Sequence, residues 1–382
     1  MWVYYILGII LVLFIPYASI ILFYRKWFLQ LQPFVISVNT KPETKFSVII
    51  PARNEENNIG NCLQALKDQQ YPNHLFEVII IDDFSEDKTV DIIAAFQQQY
   101  NNIQLLKMAD ILKDQPVNAY KKKAIELAIQ QAKGDWILTS DADCLFSKYW
   151  LAAFDAYIQQ EKPVFVAAPV VFSFTHTILS IFQYLDFLSL QGITAASVSA
   201  GFHSMCNGAN LAYKKEVFFE VGGFAGIDHI ASGDDMLLMN KIKKQYPDSI
   251  GFLFTKDAIV TTAPMPDWKS FFNQRIRWAS KADQYQDKSI FTVLLLVYLF
   301  NFSLVVLPVI ACFKPILLLY WLGFILLKTI VELNFTVPVG RFFGKVFIIE
   351  FLLFQPLHII YTVLAGWLGK FGTYRWKGRQ VK

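Results

Sequence analysis

The sequence predicts an α/β domain, built on a mostly parallel sheet and flanked by transmembrane helices. Three observations carry that prediction. Charge is gathered between about Lys41 and Lys288, while both flanks are almost continuously apolar. Within the charged middle a strand-loop-helix unit recurs, which implies parallel strands. The apolar run Trp136-Ile-Leu-Thr then breaks into Asp141-Ala-Asp143, as expected of a buried strand that presents carboxylates at a sheet's carboxyl edge.

Of the 382 residues, 54% are hydrophobic and 16% aromatic, and the mean hydropathy is +0.36. That is too apolar for an ordinary soluble chain and too charged for one that lies wholly in a membrane. The formal net charge of +4 comes from lysines and arginines beside the apolar runs, not from a basic groove interleaved with aromatics. Nucleic acid is therefore not an expected partner. Cys62, Cys144, Cys206 and Cys312 lack any C-x-x-C pairing, which suits a reducing, cytosol-facing domain and argues against a zinc site.

Residues Trp2 to Tyr24 carry no charge and are followed by Arg25 and Lys26. Roughly 23 residues cross a ~30 Å hydrocarbon core, so residues 1–26 read as a retained anchor, with the amino terminus outside and the domain inside. A polar linker over 27–45 leads to a domain over 46–263. Its first strand is Phe46–Ile50, stopped by Pro51; a loop to Asn58 precedes a helix with Ile59, Cys62, Leu63 and Leu66 on one face. Phe76–Ile81 repeats the strand, Asp82–Asp87 the loop and Thr89–Tyr100 the helix. Ile103–Leu106 is a third strand, Lys121–Lys123 open another helix, and Trp136–Leu138 is the strand before the paired aspartates.

Beyond Asp143 a helix over Trp150–Ile158 and a strand over Val164–Ala168 are expected. Ile178–Leu190, interrupted by Gln183 and Asp186, reads as too polar and too short to span, hence a surface helix. Cys206–Tyr213 is a glycine-containing turn into a strand, Gly222-Gly223 a sharp loop, Gly233-Asp234-Asp235 the start of a helix, and Phe252–Thr262 a strand. Residues 264–290 mix Trp268, Phe271, Phe272 and Trp278 with Lys269, Arg275, Arg277 and Lys281, as an interfacial helix does.

The apolar runs 291–313, 315–337 and 346–369 supply two to three transmembrane segments, followed by a basic tail over 371–382. Three crossings place Lys370, Arg375, Lys377, Arg379 and Lys382 outside, against the charge rule. Two crossings and a re-entrant segment keep them inside. The last run is the one most interrupted, by Glu350, Gln355, Pro356 and His358. Lys328 and Glu332, four apart in an apolar run, fall on one helical face and neutralise each other.

Val48-Ile-Ile-Pro-Ala-Arg-Asn-Glu55, Asp82-Asp83-Phe-Ser85, Asp141-Ala-Asp143, Gly233-Asp234-Asp235 and Gln274-Arg-Ile-Arg277-Trp278 occur in this order. Through these five motifs the chain resembles the membrane-bound family 2 glycosyltransferases, the group of ceramide glucosyltransferases and of poly-N-acetylglucosamine, hyaluronan and cellulose synthases. The resemblance covers roughly residues 46 to 280, and implies a GT-A domain that transfers a sugar from a nucleotide-diphosphate donor, with UDP expected.

Such a transfer needs a cation for the departing diphosphate, a base for the acceptor hydroxyl, and positioning of both. Asp141 and Asp143 suit Mg²⁺ or Mn²⁺, which accept one or two carboxylates together with phosphate oxygens. An Asx turn is the bland reading of the same pair. By resemblance Asp235 is the general base of an inverting reaction, with Asp234 beside it; the bland alternative is a helix cap. The resemblance places Ala52, Glu55 and Asp83 against the nucleotide and makes Gln274, Arg277 and Trp278 a lid over the donor. Ser85 and Asp87 read as turn and capping residues, and Asn207 and Asn210 as turn residues or acceptor contacts. Lys121 and Lys122 either reach the diphosphate or form a solvated face.

The acids after the first strand disfavour a nucleotidyltransferase, which needs a basic, glycine-rich loop there for a triphosphate. Asp82–Asp87 lacks the glycine a calcium loop requires. A degenerate lipid-handling or transport subunit is the alternative from another class, disfavoured by intact Asp143, Asp235 and Arg277. The expected acceptor is a lipid or lipid-linked glycan at the cytosolic membrane face, and processive polysaccharide synthesis is the alternative within the family.

Overall fold

The computed structural model describes residues 2–37, 40–113, 118–230, 232–281, 287–372, 374–376 and 379–381. By contacts the chain divides into two compact units. One comprises Gln32–Ser173 and Ser197–Ala263, the other Met1–Leu31, Phe174–Ala196 and Pro264–Lys382. In chain order the elements are α1 (Trp2–Gln30), β1 (Phe46–Ala52), α2 (Ile59–Lys67), β2 (Phe76–Asp82), α3 (Thr89–Gln99), β3 (Ile103–Lys107), α4 (Met108–Leu112), α5 (Tyr120–Gln131), β4 (Trp136–Thr139) and α6 (Trp150–Glu161). There follow β5 (Phe165–Ala167), β6 (Val170–Phe172), α7 (Ile178–Ser199), β7 (Leu211–Lys214), α8 (Lys215–Glu220), α9 (Met236–Gln245), β8 (Ile250–Phe252), β9 (Val260–Thr262) and α10 (Trp268–Ala279). The chain ends with α11 (Lys288–Ala311), α12 (Ile316–Phe343), α13 (Ile348–Phe371) and the hairpin β10 (Tyr374–Trp376) and β11 (Arg379–Val381).

In the first unit seven strands form one sheet in the order β3-β2-β1-β4-β7-β5-β8. β1 runs parallel to β2 and β4, with Val48 beside Val78 and Leu138. β3 continues the parallel set, β7 lies antiparallel to β4 and β5, and β5 is parallel to β8. Branched side chains favour the pleated surface, and Val48, Ile49, Ile50, Ile79, Ile80, Ile137 and Leu138 are all buried. They read as continuous apolar runs because a parallel sheet is covered on both faces. α2 buries Ile59, Cys62, Leu63 and Leu66 and α5 buries Ala124, Ile125, Ala128 and Ile129, the one-face spacing of an amphipathic helix. Gly134 closes the α5–β4 turn so tightly that a Cβ there would lie 2.5 Å from the Ser47 nitrogen.

The stretch expected as a single strand over Phe252–Thr262 is two short strands. A 3₁₀ turn at Lys256–Ala258 separates β8 from β9, and β9 leaves the main sheet to pair with β6. The helix expected within 264–290 spans Trp268–Ala279, started by Asp267, whose carboxylate accepts the Ser270 N–H at 2.8 Å.

The second unit corrects the reading of Ile178–Leu190. Its helix α7 runs 22 residues to Ser199 and is long and apolar enough to cross a membrane, yet 67% of its most apolar window is buried inside the protein. Gln183 exchanges hydrogen bonds with the Met265 backbone at 2.9 Å each, and Asp186 accepts from Arg275 and Tyr361. The polar residues thus face partners and not solvent. α1, α11, α12 and α13 are also long and apolar enough to cross, making five such helices among the described residues. The interruptions of α13 have a similar cause. Gln355 is buried and bonded to Lys328 and Glu332 at 2.8 Å each, so it does not mark a break in the helix. Of the expected basic tail, Lys377 and Lys382 lie outside the described residues.

Lys328 donates to both oxygens of Glu332 at 2.8 Å, and the Tyr17 hydroxyl donates to the same carboxylate. This polar knot joins α1, α12 and α13. Removing one partner of a buried pair strands a charge, at a cost of about 3–5 kcal/mol, whereas removing both does not. Lys328→Met alone is therefore expected to lower the thermal unfolding midpoint in detergent far more than Lys328→Met combined with Glu332→Met. Equal losses would show that the knot does not hold the helices.

Candidate active site

The site forms where parallel strands end together. β1 and β2 stop in register, Ala52 beside Asp82, and β4 stops at Thr139, beside Ile49 of β1. Their following loops therefore share the carboxyl edge of the sheet.

The first two loops are laced to each other. Asn54 and Phe84 adopt left-handed backbone, with φ of 51° and 56°, a conformation that turns a loop sharply. The Asn54 N–H donates to Ser85 Oγ at 3.0 Å, and Asn54 Oδ1 accepts the Glu86 N–H at 2.9 Å. The Glu55 N–H donates to Thr89 Oγ1 at 2.7 Å and the Glu56 N–H to Asp87 Oδ2 at 3.1 Å. Arg53 Nη1 donates to the carbonyls of Asp83 and Phe84 at 2.7 and 2.9 Å. Burial would raise the Asp87 carboxyl, but bonds from the Thr89 hydroxyl and N–H and from the Glu56 N–H prevail and hold it below the usual range. Ser85 and Asp87 are thus loop fasteners. Ala52 and Asp83 are buried at this edge, and Glu55 holds Asn58 Nδ2 at 2.8 Å.

The third loop carries the aspartates. Asp141 Oδ1 accepts from Lys121 Nζ at 2.8 Å, and the same ammonium lies 3.3 Å from Asp234 Oδ2. Burial would lower the lysine's pKa, but Asp141, Asp234 and Asp235 outweigh it and keep the ammonium protonated far above its ordinary range. Asp143 Oδ2 accepts from Thr262 Oγ1 of β9 at 2.9 Å. Burial and then the charges of Asp143 and Asp141 push the Cys62 thiol up, a sign of the negative potential at this edge. Among the described residues no group of three His, Cys, Asp or Glu side chains could hold a metal ion. Two carboxylate oxygens of the hard type, one from a side chain 40% exposed, do fit a cation that completes its shell with phosphate and water.

Asp235 caps α9. Its Oδ1 accepts the Met236 N–H at 2.7 Å and its Oδ2 the Gly208 N–H at 3.0 Å. Thr139 and Ser140 hydroxyls donate to the Gly208 and Ala209 carbonyls at 3.1 and 2.8 Å, which ties the end of β4 to that turn. A Cβ on Gly208 would sit 3.2 Å from Asp234 Oδ2 and 3.4 Å from Lys121 Nζ, so the backbone must approach closely there. The residue type was visible in the sequence; its neighbours, brought from three segments, were not.

Two expected residues move. Lys122, placed with the donor contacts, is 1% exposed and donates to the carbonyls of Ile227 and Ile230 at 2.6 and 2.8 Å. The amine at the aspartates is that of Lys121. Asn210 is buried and bonds Trp150 Nε1 and the carbonyls of Pro169 and Ala258, so it pins the sheet's end and is not an acceptor contact. Asn207 Oδ1 accepts the Ala209 N–H at 3.0 Å within the turn.

On α10, Gln274, Arg277 and Trp278 are half-buried. Gln274 accepts from Arg275, and the Arg275 guanidinium covers one face of the Trp278 ring at 4.2 Å.

The mostly parallel sheet with acidic loops at its carboxyl edge takes the GT-A fold: its likeness to a solved mannosyltransferase, PcManGT from Pyrobaculum calidifontis in complex with GDP-Man and Mn²⁺, covers 95% of this chain and 98% of that one at a TM-score of 0.58 and 17% identity. Residues 47–227 match the model of Glycosyl transferase family 2. Glycosyltransferase AglE of Haloferax volcanii is 29% identical over 190 residues, covering 50% of this chain and 58% of that protein. Probable glycosyltransferase YdaM of Bacillus subtilis is 28% identical over 252 residues, covering 65% and 57% respectively. The chain thus spans less than two thirds of the length of either relative.

Because Lys122 fills a buried carbonyl cage while Lys121 sits among carboxylates, their removal should differ. Lys122→Met leaves two buried carbonyls unpaired and is expected to destabilise by about 2 kcal/mol. Lys121→Met leaves the aspartates facing one another across a partly exposed edge, where added Mn²⁺ should raise the unfolding midpoint more than it does in Lys122→Met. Identical midpoints and identical Mn²⁺ responses would contradict this division of labour.

Proposed function

We propose that this chain transfers a sugar from a nucleotide diphosphate donor, with UDP expected, to a lipid or lipid-linked acceptor, with inversion and with a divalent cation. The observation that carries the reading is the ammonium of Lys121 held between Asp141, 2.8 Å away, and Asp234, 3.3 Å away, next to the helix-capping Asp235. Asp141, Asp234, Asp235 and the Lys121 ammonium lie together at the sheet edge, which supports a cation site, a positive charge of the chain's own and a carboxylate base there.

In this reading Asp141 and Asp143 would hold Mg²⁺ or Mn²⁺, which would supply positive charge against the leaving diphosphate. Lys121 adds positive charge beside it, held there by Asp234. Asp235 takes the proton of the acceptor hydroxyl at a carboxylate oxygen. The bond between that hydroxyl oxygen and the anomeric carbon forms as the bond from the anomeric carbon to the diphosphate oxygen breaks, on the opposite face. The N–H groups of Met236 and Gly208 fix the Asp235 carboxylate, and each oxygen keeps a second lone pair for the proton. Ala52, at the end of β1, and Glu55 and Asp83, on the laced loops, receive the nucleotide, and Gln274, Arg277 and Trp278 of α10 are the further residues that the resemblance assigns to transfer.

A lipid acceptor is supported by long apolar helices on both sides of the domain in sequence. Arg25 and Lys26 at the end of the first support a domain on the cytosolic side. The domain limits proposed are 46–263 for catalysis, 264–290 for the amphipathic segment and 291–370 for the following spans.

The test is to incubate membranes containing the protein with labelled UDP-glucose, UDP-N-acetylglucosamine or UDP-galactose and Mn²⁺, with and without chelator. Label in organic-extractable lipid supports the reading; label in insoluble polymer favours processive synthesis, and no transfer from any nucleotide sugar, GDP-mannose included, defeats both. Asp143→Asn is expected to abolish cation-dependent turnover. Asp235→Asn should reduce kcat by about 10²–10⁴-fold with donor affinity retained, and an equal loss of donor binding would make Asp235 a structural cap. Arg277→Ala should lose orders of magnitude in rate while the fold persists.

A further inference from the structure

Arg275 is the polar residue of the Gln274-Arg-Ile-Arg277-Trp278 segment to which no role has been given, and it is the most buried of the five, at 3% exposure. Its Nε donates to Asp186 Oδ2 of α7 at 2.8 Å, and its Nη2 lies 2.6 Å from the same oxygen. The other oxygen of Asp186 accepts from the Tyr361 hydroxyl of α13 at 2.7 Å, with His358 Nε2 3.9 Å away. From this anchor the guanidinium reaches back along its own helix. Its Nη1 donates to Gln274 Oε1, and its Cζ lies 4.2 Å from the centre of the Trp278 ring and 4.7 Å from that of Phe271. The Trp278 ring is flanked further by Phe187 of α7, at 6.1 Å.

We infer that Arg275 is a positioning residue for transfer: anchored by Asp186 and Tyr361, it sets the Gln274 amide and the Trp278 indole in their working geometry. The inference rests on the assignment of α10 to the transfer machinery. A guanidinium is suited to this because its planar fork donates in several fixed directions while its face stacks on an aromatic ring. A lysine would keep the charge opposite Asp186 but could neither fork to Gln274 nor cover the indole. A buried pair between α7 and α10 also resists rotation of α10, since turning the helix would separate the guanidinium from a carboxylate that water cannot reach. Small misplacements of positioning groups lower rate more than binding.

The test is kinetic, on full-length protein in membranes or detergent, using whichever labelled nucleotide sugar is turned over. Arg275→Lys is expected to lower kcat about 10- to 100-fold with the donor KM within about twofold of the parent. Tyr361→Phe, which removes one hydroxyl from Asp186, should give a smaller loss in the same parameter. Each is then combined with Gln274→Ala and with Trp278→Phe. If Arg275 acts through those two side chains, the combined losses fall well short of the product of the single ones. Losses that multiply, or an undiminished kcat in Arg275→Lys, overturn the inference. Should Arg275→Lys not accumulate as folded protein, the same cycles with Tyr361→Phe decide the matter. Gln274→Ala and Trp278→Phe both retaining full kcat would instead remove α10 from the machinery, and the inference with it. Trp278 provides a second readout, because loss of its covering guanidinium should alter its accessibility to iodide quenching, measured as the difference from a Trp278→Phe background.

Discussion

Bringing carboxylates together is the constraint on which this domain turns. Asp141, Asp234 and Asp235 repel one another, and a sheet edge that gathered them without compensation would be forced apart. Lys121 relieves that repulsion with its ammonium between Asp141 and Asp234, while backbone N–H groups of Met236 and Gly208 take up the charge of Asp235. Three segments distant in the chain are thereby fixed at one edge: the start of α5, the loop after β4 and the start of α9. The parallel sheet makes the meeting possible by ending β1, β2 and β4 on one side.

The helical unit solves a different problem with the same chemistry. In an apolar setting a polar group must find a partner within the protein. Lys328, Glu332, Gln355 and Tyr17 satisfy one another among α1, α12 and α13. Asp186, Arg275 and Tyr361 do so among α7, α10 and α13. α13 contributes to both groups. Gln355, which on hydropathy alone looks like an interruption of the apolar run, is one of the points at which α13 is fastened.

Much of this was legible in the amino-acid order. The one-faced spacing of α2 and α5 follows from periodicity, and the runs of β1, β2 and β4 and the long terminal helices from continuous apolar sequence, because burial on one face imposes the first and an apolar setting on all sides the second. The paired Asp141 and Asp143 and the acids at the start of α9 were visible as residue types. Ile178–Leu190 was misread because Gln183 and Asp186 count as polar wherever they point, and their partners lie some 80 to 175 residues away. The run to Thr262 was misread as one strand because β-branched composition does not show where a 3₁₀ turn moves the chain to another sheet.

The division between Lys121 and Lys122 marks the boundary most clearly. The sequence determined that a lysine run opens a helix near the acidic loops, since the helix pattern and the strand that follows are local. Which lysine serves the aspartates was decided by tertiary structure. Neighbours on a helix point about 100° apart, so one amine falls among Asp141 and Asp234 and the next enters a cage of carbonyls at Ile227 and Ile230. Arg275 repeats the case beside Arg277. Its partner on α7 is 89 residues away, and no spacing within α10 reveals which of the two arginines is buried.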